Sequence, residues 1–124
     1  MNWAQITSGS YNKRYPRTPW DESEYQWHKR TAQEMIGSIE EYVKILYIDP
    51  LDPYIFIKNR FHYNLETGIK HYLLWINPKY KICDRQAEKI IRERFPTQKI
   101  HYHMNSMKFR SILSIDHYHV FIKN

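Results

Sequence analysis

The chain has 124 residues, 42% of them hydrophobic, which is enough for one domain with its own core and no metal or disulfide support. Only three glycines (Gly9, Gly37, Gly68) and one cysteine (Cys83) occur, so a Gly-rich phosphate loop and an internal disulfide are both excluded. The formal charge of +6, from 19 Lys and Arg against 13 Asp and Glu, points to phosphate-bearing partners, with plain solubility as the blander use of the same charge.

Residues 1–17 are polar and aperiodic, with Lys13, Arg14 and Arg17 set among aromatics. They read as a loose basic arm, or one ordered by packing on the domain, ahead of a single domain spanning 18–124. No apolar stretch resembles a signal peptide or approaches the roughly 18 residues of a membrane span, so an intracellular, cytoplasmic protein without membrane insertion is expected. Thr18-Pro19-Trp20-Asp21 starts a helix: Thr18 caps, Pro19 suits the first turn and Asp21 suits the dipole. Gly37 interrupts that helix near Ile36, and Ser38-Ile39-Glu40-Glu41 opens a second with a capping box. Ile39, Tyr42, Val43 and Leu46 follow helical spacing, and Asp49-Pro50 with Asp52-Pro53 closes the segment in a turn.

Tyr54 to Lys58 reads as a short strand, Asn64 to Gly68 as a turn, and Ile69 to Ile76 as a central strand that is apolar on both faces apart from Lys70 and His71. Asp84 caps a third helix carrying Ala87, Ile90, Ile91 and Phe95, and Pro96 stops it. Lys99 to Met104 and His117 to Lys123 are further strands, with Phe109 to Ile115 between them as strand or loop. The expected fold is α+β: a mainly antiparallel sheet of about four or five strands, N-terminal helices, one helix between strand pairs, and helices covering one face.

Seven histidines are many for this length. His101 and His103 alternate on one strand, His117 and His119 alternate on another, and His71 sits on the central strand, so each pair shares a face. Neighbouring strands would bring several imidazoles together. Such a cluster suits phosphoryl chemistry, a zinc site through His-x-His plus a third His, or ordinary structural hydrogen bonding. No cofactor is expected, with zinc as the alternative. Neither His-x-His pair carries the hydroxyl that two-histidine phosphodiesterases need. Cys83, between Lys81 and Arg85, fits either a low-pKa thiol or an inert edge residue. Arg110 fits a bidentate phosphate clamp or a surface ion pair, and Lys70 and Lys108 add to the same field. Trp75 fits a base-stacking surface or the core, while Trp3, Trp20 and Trp27 either cover the sheet or present an aromatic surface to a partner.

Gly68-Ile69-Lys70-His71-Tyr72-Leu73-Leu74-Trp75 and Ser114-Ile115-Asp116-His117-Tyr118-His119-Val120 resemble the fungal N-acetylglucosamine-induced protein 1 family, a domain of unknown function also found in large DNA viruses. Gly37-Ser38 with Tyr42-Val43 resembles that family's helical segment, so the likeness runs from about Trp27 to the end of the chain. The family's Asn-Asp-x-Pro-Tyr segment stands here as Asn59-Arg60-Phe61-His62-Tyr63, with Arg60 and His62 in place of Asp and Pro. The resemblance implies a fungal or viral source (the host cytoplasm in the latter case) and supplies no chemistry.

The order Asn59, Tyr63, a Gly-led strand, a helix, then Ser114-Ile115-Asp116-His117-Tyr118-His119 is also similar to the histidine-triad nucleotide hydrolases and transferases. That resemblance implies His119 as nucleophile or acid/base, His117 as its orienting neighbour, and Asn105 with Ser111 or Ser114 on phosphate. The triad's third His is Phe121 here, so either His71, His101 or His103 substitutes across the sheet, or hydrolysis is lost while binding remains. The function expected is a phosphate-recognising domain that binds a nucleotide or RNA end in a histidine-lined pocket, extending to phosphoester hydrolysis through His119, His117 and His71. Arg110, Asn105, Ser111, Ser114, Lys70, Asn59, Tyr63, His101 and His103 would hold the ligand. The alternatives are a non-catalytic protein- or RNA-interaction module in a larger assembly, and a zinc protein.

Overall fold

The computed structural model describes residues 1–8, 16–48, 51–61, 63–104 and 115–124. The elements are α1 (Trp3–Thr7), α2 (Pro19–Ile36), α3 (Ile39–Tyr47), β1 (Tyr54–Lys58), β2 (Ile69–Ile76), α4 (Asp84–Arg94), β3 (Lys99–His103) and β4 (His117–Lys123). The fold is α+β, with one antiparallel four-stranded sheet in the order β1-β2-β4-β3.

Local chemistry sets the helix ends. Thr18 Oγ1 accepts from the Asp21 N–H at 3.1 Å, Pro19 occupies the first turn, and Asp21 and Glu22 complement the dipole. Gly37 closes α2 at φ 101°, donating to the Gln33 carbonyl at 2.9 Å, a conformation that disfavours a side chain. Ser38 Oγ accepts from the Glu41 N–H at 3.0 Å and starts α3. The cap of α4 falls on Cys83 rather than Asp84. Asp84 is the first helical residue, and its carboxylate instead accepts the Tyr118 hydroxyl at 2.5 Å, tying α4 to β4.

The sheet is covered on both faces, not on one as expected. Phe56, Leu74, Ile76, Tyr118, Val120 and Ile122 form one buried layer with Ala87 and Ile91 of α4. On the opposite face Trp75 packs with Val43 of α3 and with Ile115, while Ile69 and Phe121 pack with Tyr63 and Ile6 of α1. The reason lies in the strands. β4 is buried at every position from His117 to Ile122, and a strand buried on both sides needs cover on both sides.

The N-terminal residues are not wholly a loose arm. Asn2 accepts from the Gln5 N–H at 2.9 Å, and Gln5 Oε1 accepts from the Asn2 N–H at 2.8 Å, a reciprocal box that closes α1. Ile6 is fully buried, and Met1 O accepts from the Glu66 N–H at 2.7 Å. Lys13 and Arg14 lie outside the described residues, as does the segment at 109–114 expected as strand or loop.

Candidate functional site

Alternation along each strand places the side chains of His71, His101, His103, His117 and His119 on one face of the sheet. The register brings them side by side: Leu73 pairs with His119, Trp75 with His117, and His71 with Phe121. His103 pairs with His119 and His101 with Phe121 on the other flank. His119 is the hub, with ring centroids 5.1 Å from His71, 5.3 Å from His117 and 5.7 Å from His103.

Hydrogen bonding fixes which nitrogen carries each proton. The Tyr63 N–H donates to His71 Nδ1 at 3.4 Å, and the Asn59 amide nitrogen lies 3.3 Å from the same atom. The same amide lies 3.4 Å from Nε2, so it is the Tyr63 N–H that requires a lone pair on Nδ1 and puts the His71 proton on Nε2. That N–H faces His119 Nδ1 at 2.9 Å, which leaves the His119 proton on Nε2. His117 is the opposite tautomer, because its Nδ1 faces the Ile115 carbonyl at 3.3 Å and must donate. The basic Nε2 therefore belongs to His117, and His119 is a donor, the reverse of the roles implied by the histidine-triad resemblance.

Burial holds His119 neutral. Enclosure lowers the His119 pKa well below its ordinary value, and any charge gained by His71, His117 and His103, with the charge of Arg17, lowers it further. Burial also lowers His101. His71 is 2% exposed, with its ring 4.7 Å from Tyr63 and 4.6 Å from Phe121. It is a support behind His119, not a group that meets a ligand.

A cavity of about 100 Å³ lies between the histidine face and helices α2 and α3. His117, His119, Trp75 and Asn59 line it together with Arg17, Lys29, Lys58 and Arg60, and apolar side chains, among them Ile39, Val43, Ile57 and Leu73, make up much of the rest of its wall. No Asp or Glu is among the described residues that line it. Arg17 is built in: its side chain is 8% exposed, Nε donates to the Phe61 carbonyl at 2.8 Å, and Nη1 pairs with Glu22 at 3.2 Å. The guanidinium also lies 4.0 Å from the Tyr25 ring centroid, a cation–π contact that fixes its plane. Its Nη2 makes no hydrogen bond among the described residues.

The residues expected at the site therefore separate. His71, Asn59, Tyr63, His117 and His119 come together. His101 and His103 join the same row of rings but line a different, larger groove at the β3 edge with Asp84, Glu88 and Arg92. Lys70 is exposed on the opposite face from His71, so it does not belong to the site. Arg110, Asn105, Ser111, Ser114 and Lys108 lie outside the described residues. Trp75 is buried between Tyr47, at 5.8 Å, and His117, at 4.3 Å, and so belongs to the core. Sequence reasoning missed Arg17, Lys29 and Arg60. Arg17 had a readable signal: it immediately precedes the cap of α2, where the chain is anchored.

Among the described residues, no group of three or more His, Cys, Asp or Glu is arranged to hold a metal ion, and no helix is long and apolar enough to cross a membrane. No protein-family model matches the chain, and no curated protein matches it. A solved structure described as "Crystal Structure of HTC1" is similar to it, with a TM-score of 0.68, 19% sequence identity, and coverage of 99% of this chain and 85% of that one. At that identity the likeness is one of fold.

Proposed function

We propose that this chain is a phosphate-recognising domain that binds a nucleotide or an RNA end in the cavity between the histidine face and helices α2 and α3. The observation that carries this reading is the Arg17 guanidinium, buried against His119's surroundings in a cavity lined by further basic residues and by no described acid. A buried charge of this kind is costly unless something opposite in sign completes its environment. Glu22 supplies one counter-charge, and Lys29, Lys58 and Arg60 leave the cavity lining with a surplus of positive charge. An oxyanion at the cavity supplies the rest through charge-assisted hydrogen bonds.

The binding form of this function is favoured over hydrolysis. The proton on His119 Nε2, set by His71, makes His119 a donor to phosphate oxygen and not an attacking nitrogen. Phe121 stacks on His71 at 4.6 Å and brings no donor. Isothermal titration with a panel of nucleotides and short RNAs is expected to show saturable binding that weakens with salt. No binding to any of them would overturn the proposal.

A second reading has its own observation. Trp20 and Trp27, two turns apart on α2, are 79% and 59% exposed. They suit a non-catalytic interaction module, and silence across the titration panel would leave that reading in place.

A further inference from the structure

We infer that the cavity takes one terminal phosphate, a phosphomonoester carried on a nucleoside, inserted end-first; this rests on the phosphate-binding reading above and narrows its ligand.

Size sets the first limit. The cavity is about 100 Å³, whereas pockets that enclose a drug-sized ligand run from about 300 Å³. One phosphoryl group fits inside, and the remainder of a nucleotide must stay outside. An internal phosphodiester arrives with a ribose on each side and cannot seat in a recess of that size.

Charge sets the second. A phosphomonoester carries about −1.5 to −2 at neutral pH, against a single charge for each backbone diester. The lining residues are graded by depth: His117, His119 and Asn59 are buried, the Arg17 side chain is nearly so, and Arg60 and Lys58 are exposed. The two arginines make themselves felt on the same space. The Arg60 charge helps hold the His28 pKa down after burial has lowered it, and Arg17 adds to the depression of His119. Cations around one recess reward the doubly charged end over the singly charged chain.

The rim sets the third. Phe61, half-buried, lies 5.4 Å from Tyr25 and 4.8 Å from His28 between ring centroids, and all three line the cavity. Arg17 and Lys29 lie over the Tyr25 ring and Arg60 over Phe61, so a base at this rim meets guanidinium planes and aromatic rings together, and stacking on either accepts any base without a hydrogen-bond match. This favours a nucleoside over a sugar or an aliphatic chain as the carrier.

The test compares short single-stranded RNAs of one sequence with a 5′-phosphate or a 5′-hydroxyl, and AMP with adenosine and inorganic phosphate, by direct titration of the full chain at fixed salt. The phosphorylated member of at least one pair is expected to bind at least about tenfold more tightly than its unphosphorylated counterpart. A preference confined to AMP identifies the free mononucleotide as the source, and one confined to the RNA pair identifies the RNA end; either supports the inference. Equal affinity within both pairs, or inorganic phosphate binding as tightly as AMP, would overturn it while leaving phosphate or nucleic-acid binding intact. Silence from every ligand would overturn both proposals.

Discussion

Acidification below about pH 6.5 is expected to destabilise this fold sharply, through His119. In the unfolded chain a histidine takes up a proton near pH 6.5. In the fold, burial first, then any charge gained by His71, His117 and His103 and the charge of Arg17, keep His119 neutral to a far lower pH. The folded pKa is depressed, so the unfolded state binds more protons in the window between the two values, and stability falls as pH falls. The contribution is fully present above about pH 6.5 and is lost at up to about 1.4 kcal/mol per pH unit until the folded pKa is reached. His101, lowered by burial, and His28, lowered by burial and Arg60, act in the same direction. Against a typical domain stability of about 5–15 kcal/mol, this is a large loss. Urea unfolding followed by far-ultraviolet circular dichroism checks it. The midpoint should hold from about pH 7.5 to about pH 6.5, drop steadily from there to about pH 5 in the native chain, and drop less in His119→Gln, which has no imidazole to titrate there. A native midpoint that is flat across that range would contradict a neutral His119.

The second large effect is expected from Arg17→Met, which keeps volume and removes the guanidinium. Three attachments are lost at once: the bond to the Phe61 carbonyl, the pair with Glu22 and the cation–π contact with Tyr25. Losing a desolvated charge partner costs about 2–5 kcal/mol in binding, so nucleotide affinity should fall by roughly thirtyfold or more. Arg17→Lys keeps the charge but not the fork, and should fall between native and Met. The fold should survive both changes, because the packing of α2 and α3 does not depend on this side chain alone; thermal unfolding of each variant separates lost binding from lost structure. Native affinity in a folded Arg17→Met would remove Arg17 from the site.

How much of this was legible in the sequence depended on the range of the interaction. The helix starts at Thr18 and Ser38 and the limits of β1, β2 and β4 follow from caps, turns and alternation, and the structure reproduces them. The pairing of His117 with His119 on one face needed only period-two alternation. That alternation also separated Lys70 from His71, a distinction lost once both were treated as neighbours of one phosphate. The meeting of His71 with His119 was a different matter. It requires β4 to insert between β2 and β3, and no local signal specifies that order. Arg17 was misplaced for a related reason, because composition marked its surroundings as a polar arm while its burial comes from Tyr25, Tyr63 and Phe61, distant in sequence or on the next helix. Helix α1 is short enough that its periodicity carries almost nothing, yet Ile6 is held by Tyr63, Ile69 and Phe121.

The opposed tautomers of His117 and His119 follow from short contacts to a carbonyl and to another imidazole, and they decide what the row of rings can do. Of the two, only the His119 Nε2–H donates towards a phosphate oxygen, alongside the Arg17 guanidinium that lines the same cavity, while the His117 Nε2 lone pair accepts. The exposed Trp20 and Trp27 sit on the outer side of the same helix and are independent of that chemistry.

The most direct test is a long-range proton–nitrogen NMR spectrum of the imidazoles near neutral pH, recorded with and without AMP. The expected spectrum shows His71 and His119 neutral with the proton on Nε2, His117 with its proton on Nδ1, and the His117 and His119 signals moving as AMP is added. A cationic His119, a His119 protonated on Nδ1, or ring signals indifferent to saturating AMP would contradict the account.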